Sequence, residues 1–302
     1  MSPTSSSKGP ATKNPTASEG CLYIVATPIG NLEDITLRAL RILKEVDLIA
    51  CEDTRQTLKL LSHFDIHKRL VSYHEHNEIT RAAELVIELE QGAKIALVSD
   101  AGTPAISDPG QHLAALALRH GIRVVPVPGA SAVIAALAAS GMPSEQFSFV
   151  GFLPSRQSER RKALRELAAE PGTLVLYEAP HRLLDALEDA EEILGNRPAA
   201  IARELTKIHE EFLRDHLQEL AAAARRKPLK GEITLMIGPA DHQNAQHAPA
   251  DSIPSAVPLA RRVEEIINER GVDRKAALKQ AARERGLTKR EAYKQLLVTR
   301  DE

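Results

Sequence analysis

The chain has 302 residues, 43% of them hydrophobic, so it is long and apolar enough for two packed domains. Its net charge of −2 gives no general attraction to nucleic acid, and its longest apolar run, residues 130–139, is far shorter than the roughly twenty residues that cross a bilayer. Two cysteines, Cys21 and Cys51, suggest neither a disulfide framework nor a metal site and favour a reducing, cytoplasmic setting.

The first twenty residues, 1–20, are rich in Ser, Thr and Pro and lack an apolar core. They therefore fit neither a signal peptide nor a packed element. We predict a disordered tail.

Short apolar runs alternate with amphipathic segments from Leu22 to Ile237, a pattern typical of βαβ units. It predicts an α/β fold of two domains with mainly parallel sheets, over residues 21–127 and 128–238. Asp34 is expected to cap a helix through Val46, and Asp108 with Pro109 to begin a helix that Gly121 ends.

A helix of small residues is predicted at 131–139, followed by strands near 147–151, 173–177, 199–203 and 232–237. Residues 239–257 lack periodicity and are interpreted as a linker. Residues 258–302 predict a small basic helical module, with Asp273 and Thr288 as N-caps.

Three predicted strands run directly into loops that contain Gly and Pro: residues 22–34, 96–110 and 124–132. Ligands bind outside the carboxyl ends of strands in open α/β sheets. We therefore expect the three loops to converge on one pocket. The chain lacks both the Gly-x-Gly-x-x-Gly and the phosphate-loop patterns, which argues against NAD and ATP.

An ordered set of short motifs accompanies these loops. They are Thr-Pro-Ile-Gly-Asn-Leu at 27–32, Cys-Glu-Asp-Thr-Arg at 51–55, His-Glu-His-Asn-Glu at 74–78, Tyr-Glu-Ala-Pro-His-Arg at 177–182, Ala-Arg-Glu-Leu-Thr-Lys at 202–207 and Lys-Gly-Glu at 230–232. The set resembles the tetrapyrrole-methylase superfamily and, within it, the ribosomal RNA small subunit methyltransferase I family. The resemblance implies the two-domain fold of class III S-adenosylmethionine-dependent methyltransferases, an active site between the domains, and a homodimer.

S-adenosylmethionine is a sulfonium cation joined to an amino acid and an adenosine, so its site needs carboxylates or carbonyls, backbone donors and an apolar slot. Loop residues that meet these needs, and match the superfamily's cofactor positions, are Pro28, Asp100, Ala101, Gly102, Ile106, Ser131 and Ala132. The resemblance adds Tyr177, Arg203, Glu232, Ile233 and Thr234 from the second domain. Asp108 is interpreted as a helix cap rather than a ligand.

Methyl transfer to a ribose hydroxyl needs in-line positioning and removal of a proton. The candidates are Asp53 and Arg55 after one strand, and His74 and Asn77 after the next. Arg55 could also pair bidentately with an RNA phosphate. The His74, Glu75, His76, Glu78 cluster raises the alternative of a metal site, but Asn77 and Glu78 equally suggest the capped start of a helix, and we assign no metal.

Basic residues cluster locally despite the net negative charge. The candidates for RNA binding are Arg156, Arg160, Arg161, Lys230, Lys275 and Lys279. The alternative for each cluster is a solvated helix face.

The leading hypothesis is 2′-O-methylation of a cytidine in the decoding region of 16S ribosomal RNA, free or within the small ribosomal subunit. Its substrate rests on the resemblance. One alternative is a methylase of small tetrapyrroles, which would not need the basic module. The other is a non-catalytic ribosome-assembly factor that binds RNA, which would not need intact cofactor loops.

Overall fold

A computed structural model describes residues 20–239, residues 263, 266 and 267, and residues 273–284. The predicted tail and almost all of the predicted linker lie outside the described residues, as does the cap at Thr288. The chain separates into two compact units, residues 1–241 and 242–302. None of the helices in the described ranges is long and apolar enough to cross a membrane.

The first sheet of the larger unit consists of five parallel strands in the order β3-β2-β4-β1-β5. The strands are β1 (Cys21–Val25), β2 (Leu48–Cys51), β3 (Arg69–Ser72), β4 (Lys94–Val98) and β5 (Arg123–Val127). The helices between them are α1 (Leu37–Glu45), α2 (Thr54–His63), α3 (Glu78–Glu90) and α4 (Gln111–Arg119). Helices on both faces bury the strands, which explains their nearly continuous apolar sequences.

The second sheet has the order β6-β7-β10-β8-β9. Its strands are β6 (Phe147–Phe152), β7 (Thr173–Glu178), β8 (Pro198–Arg203), β9 (Glu211–His216) and β10 (Ile233–Ile237). The helices are α5 (Ala132–Ser140) before the sheet, then α6 (Gln157–Leu167), α7 (Leu183–Leu194) and α8 (Leu217–Arg226). The α/β class is confirmed.

Strand direction in the second sheet is mixed, unlike in the first. Strands β6 and β7 pair in parallel, whereas β10 is antiparallel to both β7 and β8, and β9 is antiparallel to β8. The connection from β8 to β9 is too short for a parallel crossover. Strand β9 escaped prediction because it is a largely exposed edge strand of sequence Glu-Phe-Leu-Arg-Asp-His, without an apolar run.

The two faces of the second sheet pack against different helices. One face carries the larger core, with side chains from α6, α7 and α8. On the other face Val133, Ala136 and Leu137 of α5 contact Val175, Ala200 and Met236. The small side chains of α5 thereby bring its N-terminus, which follows the loop after β5, close to this sheet.

Two predicted helix caps are wrong. Thr36, not Asp34, caps α1, because its Oγ1 accepts a hydrogen bond from the N–H of Ala39 at 3.1 Å. Helix α4 begins at Gln111 after Gly110, so Asp108 belongs to the preceding loop. The predicted end of α4 is confirmed, since Gly121 follows the last turn with a φ of +71°.

The smaller unit contains α9 (Arg274–Glu284) in its described part. The predicted cap is confirmed, because Asp273 Oδ1 accepts hydrogen bonds from the N–H groups of Lys275 and Ala276 at 2.9 and 2.8 Å. The buried apolar side chains in the described part of the smaller unit are Val263, Ile266, Ala277, Leu278, Ala281 and Ala282.

Candidate active site

A cavity of about 290 Å³ opens beside the carboxyl ends of β4, β1 and β5, which are neighbours in the first sheet. The loops after these strands and the start of α5 contribute Ile29, Ala101, Gly102, Thr103, Ile106, Ser107, Asp108, Ser131 and Ala132. The second sheet and its loops contribute Phe152, Tyr177, Ala202, Leu205, Glu232, Ile233 and Thr234. The predicted convergence of three loops is confirmed.

Hydrogen bonds join the three loops to one another. Thr27 and Gly102 exchange backbone hydrogen bonds of 2.9 and 3.0 Å. Thr103 Oγ1 donates to the carbonyl of Ala130 at 3.2 Å. Gly102 has a φ of +85°, and a Cβ there would lie 3.3 Å from Ile29 Cγ2, so this position favours glycine on both counts. These hydrogen bonds fix the backbone conformation of the loops that form the cavity wall.

Most of the residues predicted to bind the cofactor line this cavity. They are Ala101, Gly102, Ile106, Ser131, Ala132, Tyr177, Glu232, Ile233 and Thr234. Pro28 is buried beside the cavity, and the next residue, Ile29, lines it instead.

Two other predicted cofactor residues do not line the cavity. Arg203 Nε pairs with Glu211 at 3.1 Å, and its Nη1 donates to the carbonyl of Lys230 at 3.0 Å. Adjacent residues of a strand point to opposite faces, so Ala202 takes the cavity position. Asp100 is exposed, and its Oδ1 accepts a hydrogen bond from the N–H of Asp53 at 3.1 Å.

Asp108 lines the cavity, and its interpretation as a helix cap is therefore wrong. The chain before it passes through Ala105 and Ser107 with φ values of +67° and +62°, conformations that non-glycine residues rarely adopt. Because of this irregular loop the helix begins only at Gln111, and Asp108 faces the cavity. The sequence did offer a sign of this role, because Asp108 is the second carboxylate in a loop predicted to bind a ligand. An Asp-Pro pair is also a common helix start, however, and this favours the cap interpretation.

Carboxylates gather along this edge of the first sheet. Burial raises the pKa of Asp108, and the nearby Asp100 carboxylate adds to the rise. Burial also raises the pKa of Glu52, with further contributions from Asp100, Asp108 and Asp53. Mutual repulsion among these groups favours a cationic ligand, which would lower the free energy of all of them.

Asp53 and Arg55, two of the catalytic candidates, lie after β2 and outside the cavity lining. Asp53 caps α2, and both of its carboxylate oxygens accept hydrogen bonds from the Arg55 guanidinium, at 3.1 and 2.9 Å. These bonds lower the pKa of Asp53, which weakens it as a base. The Arg55 side chain is 86% exposed and remains accessible to an anion.

His74 and Asn77, the other catalytic candidates, follow β3 and also lie outside the cavity lining. Asn77 Oδ1 accepts the N–H of His74 at 2.9 Å, and Asn77 Nδ2 lies 3.3 Å from His74 Nε2. Asn77 precedes α3 without a side-chain capping bond, because it folds back onto His74. The structure thus joins these two residues to each other rather than to the cavity.

The possible metal ligands near His74 are not gathered into a site in the structure. The rings of His74 and His76 lie 6.0 Å apart. Among the described residues, a group of potential ligand atoms close enough to share an ion occurs only at Asp215, His216 and Glu219, which are all exposed. Exposed acidic groups of this kind are common without an ion.

Two residues predicted to bind RNA have structural partners instead. Arg160 is 3% exposed and forms an ion pair with Asp189 at 2.7 Å. Arg161 contacts the same carboxylate at 3.2 Å and also pairs with Glu192. The predicted role of Arg160 is wrong, because its guanidinium is buried; Arg156, Lys230, Lys275 and Lys279 are exposed.

The motifs at 202–207 and 230–232 meet at the rim of the cavity. Lys207 Nζ contacts Glu204 at 2.9 Å and Glu232 at 3.1 Å. Glu204 also accepts the N–H of Glu232 at 2.9 Å, and these bonds lower the pKa of Glu204. The network fixes Leu205 and Glu232, both of which line the cavity.

Residues 21–221 match the model of the family described as Tetrapyrrole (Corrin/Porphyrin) Methylases. A protein of Halalkalibacterium halodurans named Ribosomal RNA small subunit methyltransferase I is 51% identical over 91% of this chain and 94% of its own. Proteins of the same name are 46% identical in Escherichia coli O157:H7 (89% of this chain, 97% of theirs) and 43% identical in Bacillus subtilis (91% and 93%).

Solved structures match the fold at lower identity. The cobalt precorrin-4 methyltransferase has a TM-score of 0.56 at 19% identity, over 74% of this chain and 97% of that chain. The uroporphyrin-III C-methyltransferase of Thermus thermophilus, in complex with S-adenosylhomocysteine, has a TM-score of 0.51 at 22% identity, over 72% and 97%.

Proposed function

The chain belongs to the tetrapyrrole methylase family and, within it, to the ribosomal RNA small subunit methyltransferases I, and from this premise we propose that it methylates the ribose 2′-oxygen of a cytidine in the decoding region of 16S ribosomal RNA. Membership makes it an S-adenosylmethionine-dependent methyltransferase of ribosomal RNA. The nucleotide, its position and the 2′-oxygen are the proposal.

The observation that favours RNA over a tetrapyrrole as the substrate is the sequence identity to named ribosomal RNA methyltransferases over nearly the whole chain. Relatives named as ribosomal RNA methyltransferases are 43–51% identical over about nine-tenths of it. The matched solved structures named as uroporphyrin-III and precorrin-4 methyltransferases are 19–22% identical, which supports a shared fold only. The tetrapyrrole alternative is therefore less well supported than RNA.

The cavity residues fit S-adenosylmethionine chemically. Ile29, Ala132 and Ile233 offer an apolar surface for an adenine, and Asp108 offers a carboxylate to a cationic centre. Gly102 lets a ligand approach the backbone closely. Bound there, the cofactor supplies an electrophilic methyl group on sulfur.

The residues of the chain have two remaining tasks: orientation of the hydroxyl and acceptance of its proton. Positioning can supply most of the rate for an in-line displacement. Asp108 lines the cavity with a raised pKa, so we assign the proton to its carboxylate. Asp53, His74 and Asn77 stay candidates for orienting the ribose from the neighbouring loops.

RNA binding would use exposed cations of the chain. The Arg55 fork is exposed beside the carboxylate cluster and can pair with a phosphate. Arg156, Lys230, Lys275 and Lys279 are exposed as well. We propose the small ribosomal subunit as the substrate particle, and a homodimer as the active form.

The test is transfer of labelled methyl from S-adenosylmethionine to unmethylated small subunits and to naked 16S RNA, followed by nucleoside analysis. Label in 2′-O-methylcytidine is expected. Label in a base or another nucleoside would contradict the assignment. Cofactor binding without any transfer to RNA would favour a small-molecule methylase, and failure to bind the cofactor would favour a non-catalytic assembly factor.

A further inference from the structure

Three aromatic rings lie together beside the cavity, and two of them, Tyr177 and Phe152, line it. Tyr177 is the central ring, with its centroid 5.1 Å from that of Phe149 and 5.6 Å from that of Phe152. The chain has only five Phe, four Tyr and no Trp, so a third of its aromatic side chains occupy this place. Phe152 is 57% exposed although it lines the cavity, and an exposed aromatic face costs free energy of hydration.

A β-bulge in β6 directs Phe152 to the cavity. In a regular strand Phe149 and Phe152, three residues apart, would point to opposite faces. The register with β7 shifts by one residue between Phe149 and Gly151, so that Phe149 pairs with Val175 and Phe152 with Tyr177. Gly151 accommodates the bulge with a φ of +74°. Bulges recur beside active sites, where they re-aim a side chain.

Leu153, the residue after Phe152, is held in place by a hydrogen bond from Arg182. Arg182 Nη2 donates to the carbonyl of Leu153, and Arg182 Nε lies 3.4 Å from the buried Glu178 carboxylate. Glu178 and Arg182 belong to the Tyr-Glu-Ala-Pro-His-Arg motif. Of this motif only Tyr177 lines the cavity. The motif therefore holds the end of β6, and with it the ring of Phe152, at the rim.

The size of the cavity indicates what the ring faces. About 290 Å³ is near the lower limit of roughly 300 Å³ for small-molecule sites, so one cofactor-sized ligand fills it. The acceptor nucleotide must then lie at the rim, with its ribose towards the cavity. Single-stranded bases bind proteins by stacking on aromatic faces.

We propose that Phe152 is the platform on which the base of the target nucleotide stacks during methyl transfer. The proposal rests on the RNA methylation proposed above and adds a subsite for a nucleobase. Stacking contributes to affinity and orientation but not to the choice of base, because every base has a flat face.

The experiment compares Phe152→Ala, Phe152→Leu and Phe152→Tyr with Phe147→Ala as the control. Phe147 lies on the same strand, is 38% exposed and does not line the cavity. Each full-length variant is assayed for kcat/KM with unmethylated small subunits, and for the Kd of S-adenosylmethionine by calorimetry.

We expect Phe152→Ala and Phe152→Leu to lower kcat/KM for the RNA by on the order of 10- to 100-fold with an unchanged Kd for the cofactor. Phe152→Tyr and Phe147→Ala should stay within about twofold of wild type. Rescue by Tyr but not by Leu separates a flat ring from apolar bulk.

Three outcomes would overturn the platform. Wild-type kcat/KM in Phe152→Ala would show that the ring is not used, and full activity in Phe152→Leu would reduce its role to packing. A weaker Kd for the cofactor in Phe152→Ala would assign the ring to the adenine instead. If the wild-type enzyme makes no 2′-O-methylcytidine, the proposed function fails. If the wild-type enzyme is active and Phe152→Ala is equally active, only the platform fails.

Discussion

At the scale of single residues, Asp108, the proposed proton acceptor, shows how the surroundings of a carboxylate change its chemistry. An Asp followed by Pro is a normal helix start, yet here the loop continues for two more residues and places the half-buried side chain at the cavity. Burial, with help from Asp100, raises its pKa. A raised pKa makes a carboxylate a better proton acceptor near neutral pH.

Asp108→Asn should therefore lower kcat by roughly 10²- to 10⁴-fold, the usual contribution of a general base. In the wild-type enzyme activity should fall as pH drops through the raised pKa of Asp108, that is, above the ordinary carboxylate value of about 4. The measurement is the pH profile of both kcat and kcat/KM for the two proteins.

Stability provides the control for this substitution. A carboxyl whose folded-state pKa is raised contributes stability below its unfolded pKa, and that contribution is lost as pH rises through the folded pKa. Asp108→Asn should leave Tm at pH 7 equal or higher. A large fall in Tm together with the loss of activity would indicate a structural role.

Arg160 illustrates the opposite case, a cation whose charge is used inside the protein. Arg160→Ala leaves the Asp189 carboxylate, whose side chain is 4% exposed, without its closest partner at 2.7 Å. Breaking a buried pair in this way costs about 3–5 kcal/mol of unfolding free energy, measured by urea denaturation.

Arg156→Ala is the matched substitution on the same helix terminus, since that side chain is 80% exposed. It should change stability by less than about 1 kcal/mol and weaken RNA binding. Normal stability with weakened RNA binding in Arg160→Ala would contradict our assignment.

At the scale of elements, the loop after β4 depends on backbone conformation. Gly102 and Gly121 both have positive φ, but only at Gly102 would a Cβ meet a neighbour, Ile29 Cγ2 at 3.3 Å. The two glycines thus separate conformational strain from the shape of the cavity.

We expect Gly102→Ala and Gly121→Ala each to lose about 1 kcal/mol of stability, because alanine is strained at positive φ. Only Gly102→Ala should weaken S-adenosylmethionine binding, by about tenfold or more, since a clash of about 1.4 kcal/mol is sufficient. Calorimetric titration of both variants tests this, and equal cofactor affinities would remove Gly102 from the site.

At the scale of the whole molecule, a chain with net charge −2 must bind RNA through local cations. Lys275 and Lys279 are exposed on α9 of the smaller unit, one helical turn apart. Residues four apart lie on the same side of a helix, so both side chains can reach one stretch of phosphates.

The double variant Lys275→Ala, Lys279→Ala should reduce the slope of log K against log salt for RNA binding by about 1.4, at roughly 0.7 per lost contact with single-stranded RNA. The control is Lys44→Ala, an exposed lysine of α1. An unchanged slope in the double variant would identify these lysines as a solvated helix face.

The sequence by itself determined the α/β class and the convergence of three strand-end loops, because apolar periodicity and Gly/Pro turns act locally. The cavity residues of the second sheet that were predicted, Tyr177 and residues 232–234, came from the resemblance of the motifs to the methylase family. Only the tertiary structure decided that Ala202, and not its neighbour Arg203, faces the cavity. Only the tertiary structure showed the bulge that turns Phe152 towards the cavity. It also decided that Asp108 enters the cavity while Arg160 is buried against Asp189. Strand register decides the outcome at Ala202 and Phe152, positive φ values at Ala105 and Ser107 place Asp108, and a partner 29 residues away in the sequence buries Arg160. The local sequence pattern encodes none of these.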